Sequence, residues 1–227
     1  TMPKKECSKP IVAPKNDGTV NASPFHFGDV PDNSCLRPKG HSRIDSSIRI
    51  VKKTKKYIDL ISSYGVLRLT PLEEDIVRVQ FQKGRTAEFE SGPFNYKPLN
   101  SVIWSAKEGK SLVEAATEKI IVQIDKKTGA LTFLDKTRKV LLSEKSTLPR
   151  QIEYSAVPEA WVYFDWPKKE KLSAKGILAN KLEPLNQKAR YISFGQKTLR
   201  MPLLVSEYGY GIGVAAGETV MCCDISM

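Results

Sequence analysis

The feature that most constrains this chain is a series of short apolar runs that alternate with polar positions and are separated by turns. Ile120, Val122 and Ile124 fall on one side of an extended strand, and the chain returns through Leu131–Leu134 after a turn that ends in Gly129. Glycine at this place is typical of a turn that needs a positive φ. A second polar turn leads into a third apolar run, which completes a β-meander.

The same pattern extends on both sides of the meander, and no segment sustains a helical period. Further strands are predicted near residues 48–60, 66–70, 76–81, 152–155, 160–165, 188–194, 198–205 and 210–215. A sheet has one apolar face that needs cover, so many short strands favour an all-β sandwich. The predicted core contains the same-face residues Val77, Val79, Phe81, Ile120, Val122, Ile124, Leu131, Phe133, Leu203 and Val205.

The domain organisation follows from a change in composition. Residues 1–46 are rich in Pro, Asn, Asp, Ser and Gly without a period, which indicates an extended, irregular amino-terminal arm. Residues 47–227 carry the strand pattern and are predicted to form one β-sandwich domain. A (β/α)8 barrel alone needs about 250 residues, so the chain is too short to contain one beside this domain.

The net charge of +11, from 36 Lys and Arg against 25 Asp and Glu, favours an anionic partner. The basic residues are nevertheless scattered, and the chain has no RNA-recognition signature and no helix-turn-helix period. We therefore expect solvated surface lysines and no nucleic-acid partner. A basic nucleic-acid-binding β domain is the weakest rival, and it would require the lysines to gather on one face. No apolar run approaches the roughly 20 residues that span a bilayer, so no membrane partner is expected.

The cysteines and histidines do not form a metal motif. Cys7, Cys35, Cys222 and Cys223 lack the C-x2-C spacing of a zinc site, and the chain has only two histidines. We expect no metal site, no cofactor and reduced thiols, as in a cytoplasmic protein. No signal peptide is visible at the amino end, which agrees with a cytoplasmic location.

Three blocks, Leu67–Phe81, Ala116–Lys145 and Thr198–Ile225, together resemble the amino-terminal β-sandwich domain of glycoside hydrolase family 31. The last block contains the strand, Gly-Tyr-Gly turn and strand that close this domain in the α-glucosidases and α-xylosidases. The resemblance implies a supersandwich of the galactose-mutarotase type. It also implies that a catalytic (β/α)8 barrel would follow Met227, so that this chain is an accessory domain of a retaining α-glycosidase, without catalytic residues of its own.

The same resemblance implies a loop at the substrate entrance. In many members of the family, a Gly-Leu-Gly-Glu segment precedes a loop that reaches the mouth of the barrel and helps to shape the sugar pocket. Here only Gly176 and the polar residues after it match that pattern. The implied entrance residues are Lys175, Gly176, Asn180 and Lys181.

The residues themselves offer few candidates for catalysis. Retaining hydrolysis needs two carboxyl groups about 5 Å apart. The acidic turn Glu73–Asp75 is expected to be solvated, and Asp165, which lies between two aromatic residues, is expected to make a turn hydrogen bond at a strand end. We therefore predict no catalytic residue in this chain, and carbohydrate would be the substrate of the intact enzyme only.

The aromatic segment around Asp165 has two interpretations. Alternation places Trp161 and Tyr163 on one face and Phe164 and Trp166 on the other, as in a strand that is buried on one side and docked on the other. Trp161, Asp165 and Trp166 would then contact either the barrel or a sugar. A free-standing carbohydrate-binding module, with the aromatic rings exposed, is the alternative function.

A domain that docks on a barrel should expose apolar surface when the barrel is absent. The closing hairpin and the aromatic strand are the expected locations. We predict that Trp166, Tyr208, Tyr210 or Met227 contributes to such a patch, and that a homodimer could cover it.

Overall fold

The structure is a computed structural model that describes residues 44–84, 89, 102–153, 159–167, 169–175, 183–184, 189–193, 203–215 and 220–223. These residues form eighteen β-strands and contain no helix, which confirms the all-β prediction. In this part of the chain there is accordingly no apolar helix that could span a membrane. The described residues fall into two compact units, one within Ser42–Lys169 and one within Glu170–Met227.

The first unit contains two large antiparallel sheets and one strand pair. Its strands are β1 (Ile50–Lys53), β2 (Ile58–Ile61), β3 (Gly65–Glu73), β4 (Ile76–Lys83), β5 (Ser105–Glu108), β6 (Leu112–Ala116), β7 (Ile120–Asp125), β8 (Leu131–Asp135), β9 (Val140–Glu144), β10 (Arg150–Glu153), β11 (Glu159–Val162) and β12 (Phe164–Asp165). One sheet has the order β1-β2-β3-β4, the other has the order β12-β9-β8-β7-β6-β5, and β10 pairs with β11.

The core of this unit lies between the two large sheets, which makes it a β-sandwich. Strands β2 and β3 contribute one half of the core cluster, and strands β6, β7 and β8 contribute the other half. The buried members of the cluster are Ile48, Ile58, Leu60, Leu67, Leu69, Val113, Val122, Ile124 and Leu131. The burial of the two apolar sheet faces against each other is therefore the main source of stability of this unit.

The predicted faces of the meander are confirmed. Val122, Ile124 and Leu131 are at most 1% exposed, and Ile120 and Phe133 pack against the same cluster. The registers of β7 and β8 place Val122 opposite Phe133 and Ile124 opposite Leu131, so these side chains share a face.

The turn between β7 and β8 shows why glycine is needed there. Gly129 has a φ of 71°, and a Cβ at this position would lie 2.5 Å from the carbonyl oxygen of Ser46. Asp125 Oδ1 accepts the backbone N–H groups of Lys127 and Thr128, each at 2.8 Å. The predicted positive φ is therefore confirmed, and a close backbone approach adds a second reason for glycine.

The prediction for β4 is partly wrong. Val77 and Phe81 pack against the core, but Val79 is 38% exposed. Val79 lies opposite Leu69 and so belongs to the core face. In the described part of the chain β4 is the last strand of its sheet, and an edge strand is covered less completely than a central one.

Two strands of the six-stranded sheet were not predicted. β5 reads Ser-Ala-Lys-Glu and has no apolar alternation, and β6 carries two adjacent alanines. β5 is recognisable only through its pairing with β6, which joins Ala106 to Ala115 and Lys107 to Glu114. Tertiary pairing therefore overrides a weak local signal here.

The second unit contains β13 (Leu172–Lys175), β14 (Glu183–Pro184), β15 (Ala189–Ser193), β16 (Leu203–Ser206), β17 (Gly211–Gly213) and β18 (Val220–Cys223). One sheet has the order β14-β13-β16-β17, and β15 pairs with β18. The predicted face of β16 is wrong, because Leu204 is buried whereas Leu203 and Val205 are only half-buried. A shift of one residue reverses the face of a strand, and the apolar run did not specify which face turns inward.

The predicted arm, residues 1–46, lies almost wholly outside the described residues. Its described end includes Asp45, whose carboxylate accepts hydrogen bonds from Ser47 at 2.6 Å and from Arg49 at 2.8 Å. The boundary between arm and domain stays a prediction.

Candidate functional site

The strand β13 leads into the predicted entrance loop. Lys175 is its last residue and lies opposite Leu203 of β16. Gly176, Asn180 and Lys181 lie outside the described residues, so their role as entrance residues stays a prediction. β13 pairs with β16 on one side and with β14 on the other, and the loop therefore connects two neighbouring antiparallel strands.

The closing hairpin has the predicted strand, turn and strand. Backbone hydrogen bonds join Ser206 N to Tyr210 O at 2.9 Å and Gly209 N to Ser206 O at 3.1 Å. Gly209 has a φ of 85°, which a residue with a Cβ rarely adopts. The Gly-Tyr-Gly sequence thus sets a tight turn between β16 and β17.

A buried carboxyl group supports this turn, and it was not predicted. Glu170 is fully buried and accepts a hydrogen bond from the hydroxyl of Ser206. Ser206 Oγ in turn accepts the backbone N–H of Tyr208 at 3.0 Å. Burial, followed by the neighbouring Glu170, raises the pKa of Tyr210 above its ordinary value. Glu170, which lies shortly before β13, thus helps to stabilise the turn between β16 and β17.

Two further hydrogen bonds, one to a side chain and one between backbones, join Lys171 to Glu207. Lys171 N donates to Glu207 Oε1 at 3.0 Å, and Glu207 N donates to Lys171 O at 3.1 Å. The residues just before β13 and the turn after β16 therefore form one hydrogen-bonded cluster, which we call the hairpin clasp (Glu170, Lys171, Ser206, Glu207 and Tyr208).

The four residues predicted to contribute to an exposed apolar patch differ in burial. Tyr208 is 39% exposed, whereas Trp166 and Tyr210 are half-buried. Met227 lies outside the described residues. Tyr208 thus presents an aromatic surface at the tip of the hairpin, while the clasp holds its backbone.

The aromatic segment is divided between two sheets. β11, which contains Trp161, pairs with β10, and β12 pairs with β9. The rings of Trp161 and Tyr163 stack with centroids 6.3 Å apart and planes 7° apart, as their predicted common face requires. Trp161 is half-buried and Tyr163 is buried.

Asp165 is exposed at the end of β12, opposite Ser143. The apolar neighbours in sequence therefore do not enclose its carboxylate. The acidic turn after β3 is also exposed, and Lys119 lies 3.6 Å from Glu74 and 3.7 Å from Asp75. Glu74 and Asp75 thus form solvent-exposed ion pairs with Lys119, and such pairs contribute little to stability.

Two other carboxylates form hydrogen-bonded ion pairs with arginines. Glu114 accepts hydrogen bonds from Arg138 at 2.7 Å and from Gln123 at 3.0 Å. These contacts, led by Arg138, lower the pKa of Glu114. Among the residues that the structure describes, no group of three or more His, Cys, Asp or Glu side chains could hold a metal ion.

The second arginine pair is buried and was not predicted from the sequence. Arg150 Nη1 donates to both carboxylate oxygens of Glu144, at 3.0 and 2.9 Å. Glu144 also accepts the N–H of Leu131 at 2.8 Å, and Arg150 donates to the carbonyl of Gly129. Burial raises the pKa of Glu144 to about 7, although Arg150 and the Leu131 N–H favour its charged form. The pair joins β8, β9 and β10 and has a structural role.

No protein-family model matches this chain, and no curated protein sequence matches it. Solved structures, in contrast, share its fold. A GH31 α-xylosidase from a soil metagenome, complexed with xylose, aligns with a TM-score of 0.61 and 14% identity over 77% of this chain and 30% of its own. A Flavobacterium johnsoniae GH31 dextranase, complexed with glucose, aligns with a TM-score of 0.64 and 14% identity over 80% of this chain and 23% of its own.

A GH31 α-xylosidase from Xanthomonas citri aligns with a TM-score of 0.54 and 19% identity over 71% of this chain and 18% of its own. The chain thus spans less than a third of the length of the solved structures that it matches. Low identity with these scores shows a shared fold. This protein therefore has the fold of one part of the GH31 enzymes.

Proposed function

We propose that this chain is the non-catalytic amino-terminal accessory domain of a retaining α-glycosidase that hydrolyses α-glucosides or α-xylosides. The observation that supports this role is the alignment of most of the chain with a small part of much longer GH31 enzymes. The domain would pack on a catalytic (β/α)8 barrel and support it. The loop that follows Lys175 would shape the entrance for the carbohydrate substrate.

The hairpin clasp supports a docking role. Tyr208 is 39% exposed, while its N–H is bound to the buried Ser206 hydroxyl at 3.0 Å. An aromatic side chain on a fixed backbone loses little conformational entropy when it is buried by a partner, and such residues are common anchors of interfaces. We propose that Tyr208 contacts the barrel, and that two copies pair through the same surface when the barrel is absent.

The direct test uses the coding sequence beyond Met227. We expect it to encode a barrel, and we expect the barrel, produced separately, to bind this chain. Tyr208→Asp should weaken that binding about tenfold, because a carboxylate would be buried without a partner. Ile103→Asp is the matched control, since Ile103 is 89% exposed in the other unit. Absence of a barrel in the gene, or binding that neither variant changes, would contradict the proposal.

The activity assay tests the non-catalytic part of the proposal. We expect the chain alone to show no turnover of p-nitrophenyl α-glucoside or α-xyloside, because the resemblance places both catalytic carboxyl groups on the barrel. Turnover that Asp165→Asn abolishes would show that this chain carries its own catalytic acid.

The stacked rings of Trp161 and Tyr163 favour one alternative, a free-standing carbohydrate-binding module. In that case the half-buried Trp161 would contact the apolar face of a neutral sugar ring. Isothermal titration with maltooligosaccharides and xylooligosaccharides distinguishes the two functions. Binding that is lost in Trp161→Ala, in a chain that does not associate with a barrel, would favour the module.

A further inference from the structure

A shallow, open cleft of about 620 Å³ lies beside Trp104 and is separate from the features described so far. Its lining residues are Lys53, Thr54, Lys55, Val102, Ile103 and Trp104. It forms where the end of β1 meets the start of β5, since Lys53 Nζ donates to Ala106 O at 3.4 Å. In the described part of the chain β1 and β5 are the outer strands of their sheets, so the cleft opens at an edge of the sandwich.

Hydrogen bonds hold the walls of this cleft in place. Trp104 packs against the core, and its Nε1 donates to the carbonyl of Lys55 at 3.0 Å. The hydroxyl of Thr54 accepts the N–H groups of Lys56 at 3.1 Å and Tyr57 at 3.0 Å, which fixes the turn after β1. A ligand would therefore meet a preorganised site.

The cleft combines apolar and cationic surface. Ile103 is 89% exposed, and the half-buried ring of Trp104 lies beside it. Lys53 Nζ lies 5.5 Å from the centroid of that ring. Lysine and an aromatic ring so arranged attract each other, and the ammonium group keeps its charge available to an anion.

The lysines beside the cleft form a positively charged surface. Among the described residues, no carboxylate forms an ion pair with Lys52, Lys53, Lys55 or Lys56, all of which are exposed. Asp59 lies opposite Lys52 in the sheet, but it is bound to Arg68 at 2.7 Å. The end of β1 and the turn after it therefore carry four positive charges, and two of these lysines, Lys53 and Lys55, line the cleft beside its apolar wall. Their field favours a ligand with several negative charges.

We propose that this cleft binds an acidic polysaccharide, whose carboxylates pair with Lys53 and Lys55 while the aliphatic face of a sugar ring lies on Trp104 and Ile103. A sugar acid fits better than inorganic phosphate, because phosphate would leave the apolar wall in water. It also fits better than a nucleic acid, since platforms for single strands stack successive bases on several aromatic rings. Among the described residues that line the cleft, Trp104 is the only aromatic one.

The test is isothermal titration of the full chain with polygalacturonate oligosaccharides, neutral dextran oligosaccharides of the same length and a single-stranded oligonucleotide. We expect the uronate to bind most tightly, and we expect its affinity to fall when ionic strength rises to about 0.15 M. The double variant Lys53→Ala/Lys55→Ala should lose about tenfold in affinity. Ile103→Ala should lose about threefold through the apolar contact, and its high exposure leaves the fold intact.

The matched control is Lys127→Ala/Lys136→Ala, which removes the same charge from exposed turns outside the cleft. We expect it to change the affinity for the uronate by less than about twofold. An equal loss in both double variants would assign the binding to net charge alone and overturn the proposal. Tighter binding of the oligonucleotide, equal binding of dextran, an unchanged affinity in Ile103→Ala or no binding of the uronate would also overturn it.

Discussion

The two units of this protein bury a carboxyl group in different ways. In the first unit, Glu144 is buried with Arg150, which forms two hydrogen bonds to it, at 3.0 and 2.9 Å. In the second unit, Glu170 accepts a hydrogen bond from the hydroxyl of Ser206, close to Tyr210. The first arrangement depends on a buried charge, and the second on a neutral hydroxyl that also accepts a backbone N–H. The difference predicts which cluster loses more stability when one partner is removed.

The largest effect is expected from Arg150→Ala. Above pH 7, where Glu144 is ionised in the folded state, removal of the guanidinium leaves a buried carboxylate without its counter-ion. It should then lower the free energy of unfolding by about 3–5 kcal/mol. Urea denaturation followed by fluorescence measures this loss. The double variant Arg150→Met/Glu144→Leu is the control, and it should lose less because no buried charge remains. If Arg150→Ala is as stable as the wild type, the ion pair between Arg150 and Glu144 does not form in solution.

The second-largest effect is a pH dependence of the free energy of unfolding that arises from Glu144. Its pKa in the folded state is raised from 4.5 to about 7, chiefly by burial, so between these values the folded state holds a proton that the unfolded state releases. The stability from this group is present below about pH 4.5 and is lost as pH rises through about 7. Glu144→Gln should therefore remove a decline of roughly 1–3 kcal/mol from the pH profile of unfolding. Parallel profiles for wild type and variant would contradict this assignment.

A smaller loss is expected from Ser206→Ala in the hairpin clasp. The substitution removes the hydrogen bond to the buried Glu170 and the acceptor of the Tyr208 N–H, and it should cost about 1–3 kcal/mol. Ser206→Thr keeps the hydroxyl and serves as the control. Hydrogen exchange at the Tyr208 amide should accelerate in Ser206→Ala, whereas unchanged exchange would show that the hydroxyl does not hold the turn.

The smallest effect is expected for the exposed pair of Arg138 and Glu114. Their ion pair has a distance of 2.7 Å, but the arginine side chain is 54% exposed. Solvent screens such a pair, so Arg138→Ala should leave the free energy of unfolding almost unchanged. Added salt should reduce the effect further. A loss as large as that in Arg150→Ala would show that burial does not decide the strength of these pairs.

Only part of the closing hairpin could be predicted from the sequence. The Gly-Tyr-Gly turn was predicted from the block that resembles the family's closing hairpin, and the positive φ of Gly209 shows why glycine is needed there. The clasp was not predicted, since Glu170 and Ser206 are far apart in the chain and neither has a distinctive neighbour. A fully buried glutamate is rare and depends on its partners, which only the folded chain brings together.

The cleft beside Trp104 could not be predicted from local sequence patterns either. Of its lysines, Lys53 ends β1 and Lys55 lies in the turn that follows, whereas Ile103 and Trp104 precede β5, a strand without apolar alternation. The scattered lysines were interpreted as a solvated surface. Two of them, Lys53 and Lys55, line the same cleft as Ile103 and Trp104, where β1 and β5 meet.

The sequence by itself determined the all-β class, the faces of the meander and the places where glycine turns the chain, because alternation and backbone sterics act between near neighbours. The tertiary structure decided which face of β16 is buried, how far Val79 is exposed at an edge, and which charged groups are buried together. These properties depend on strand order and on neighbours distant in sequence, since burial is a property of the packed sheets and not of a single strand.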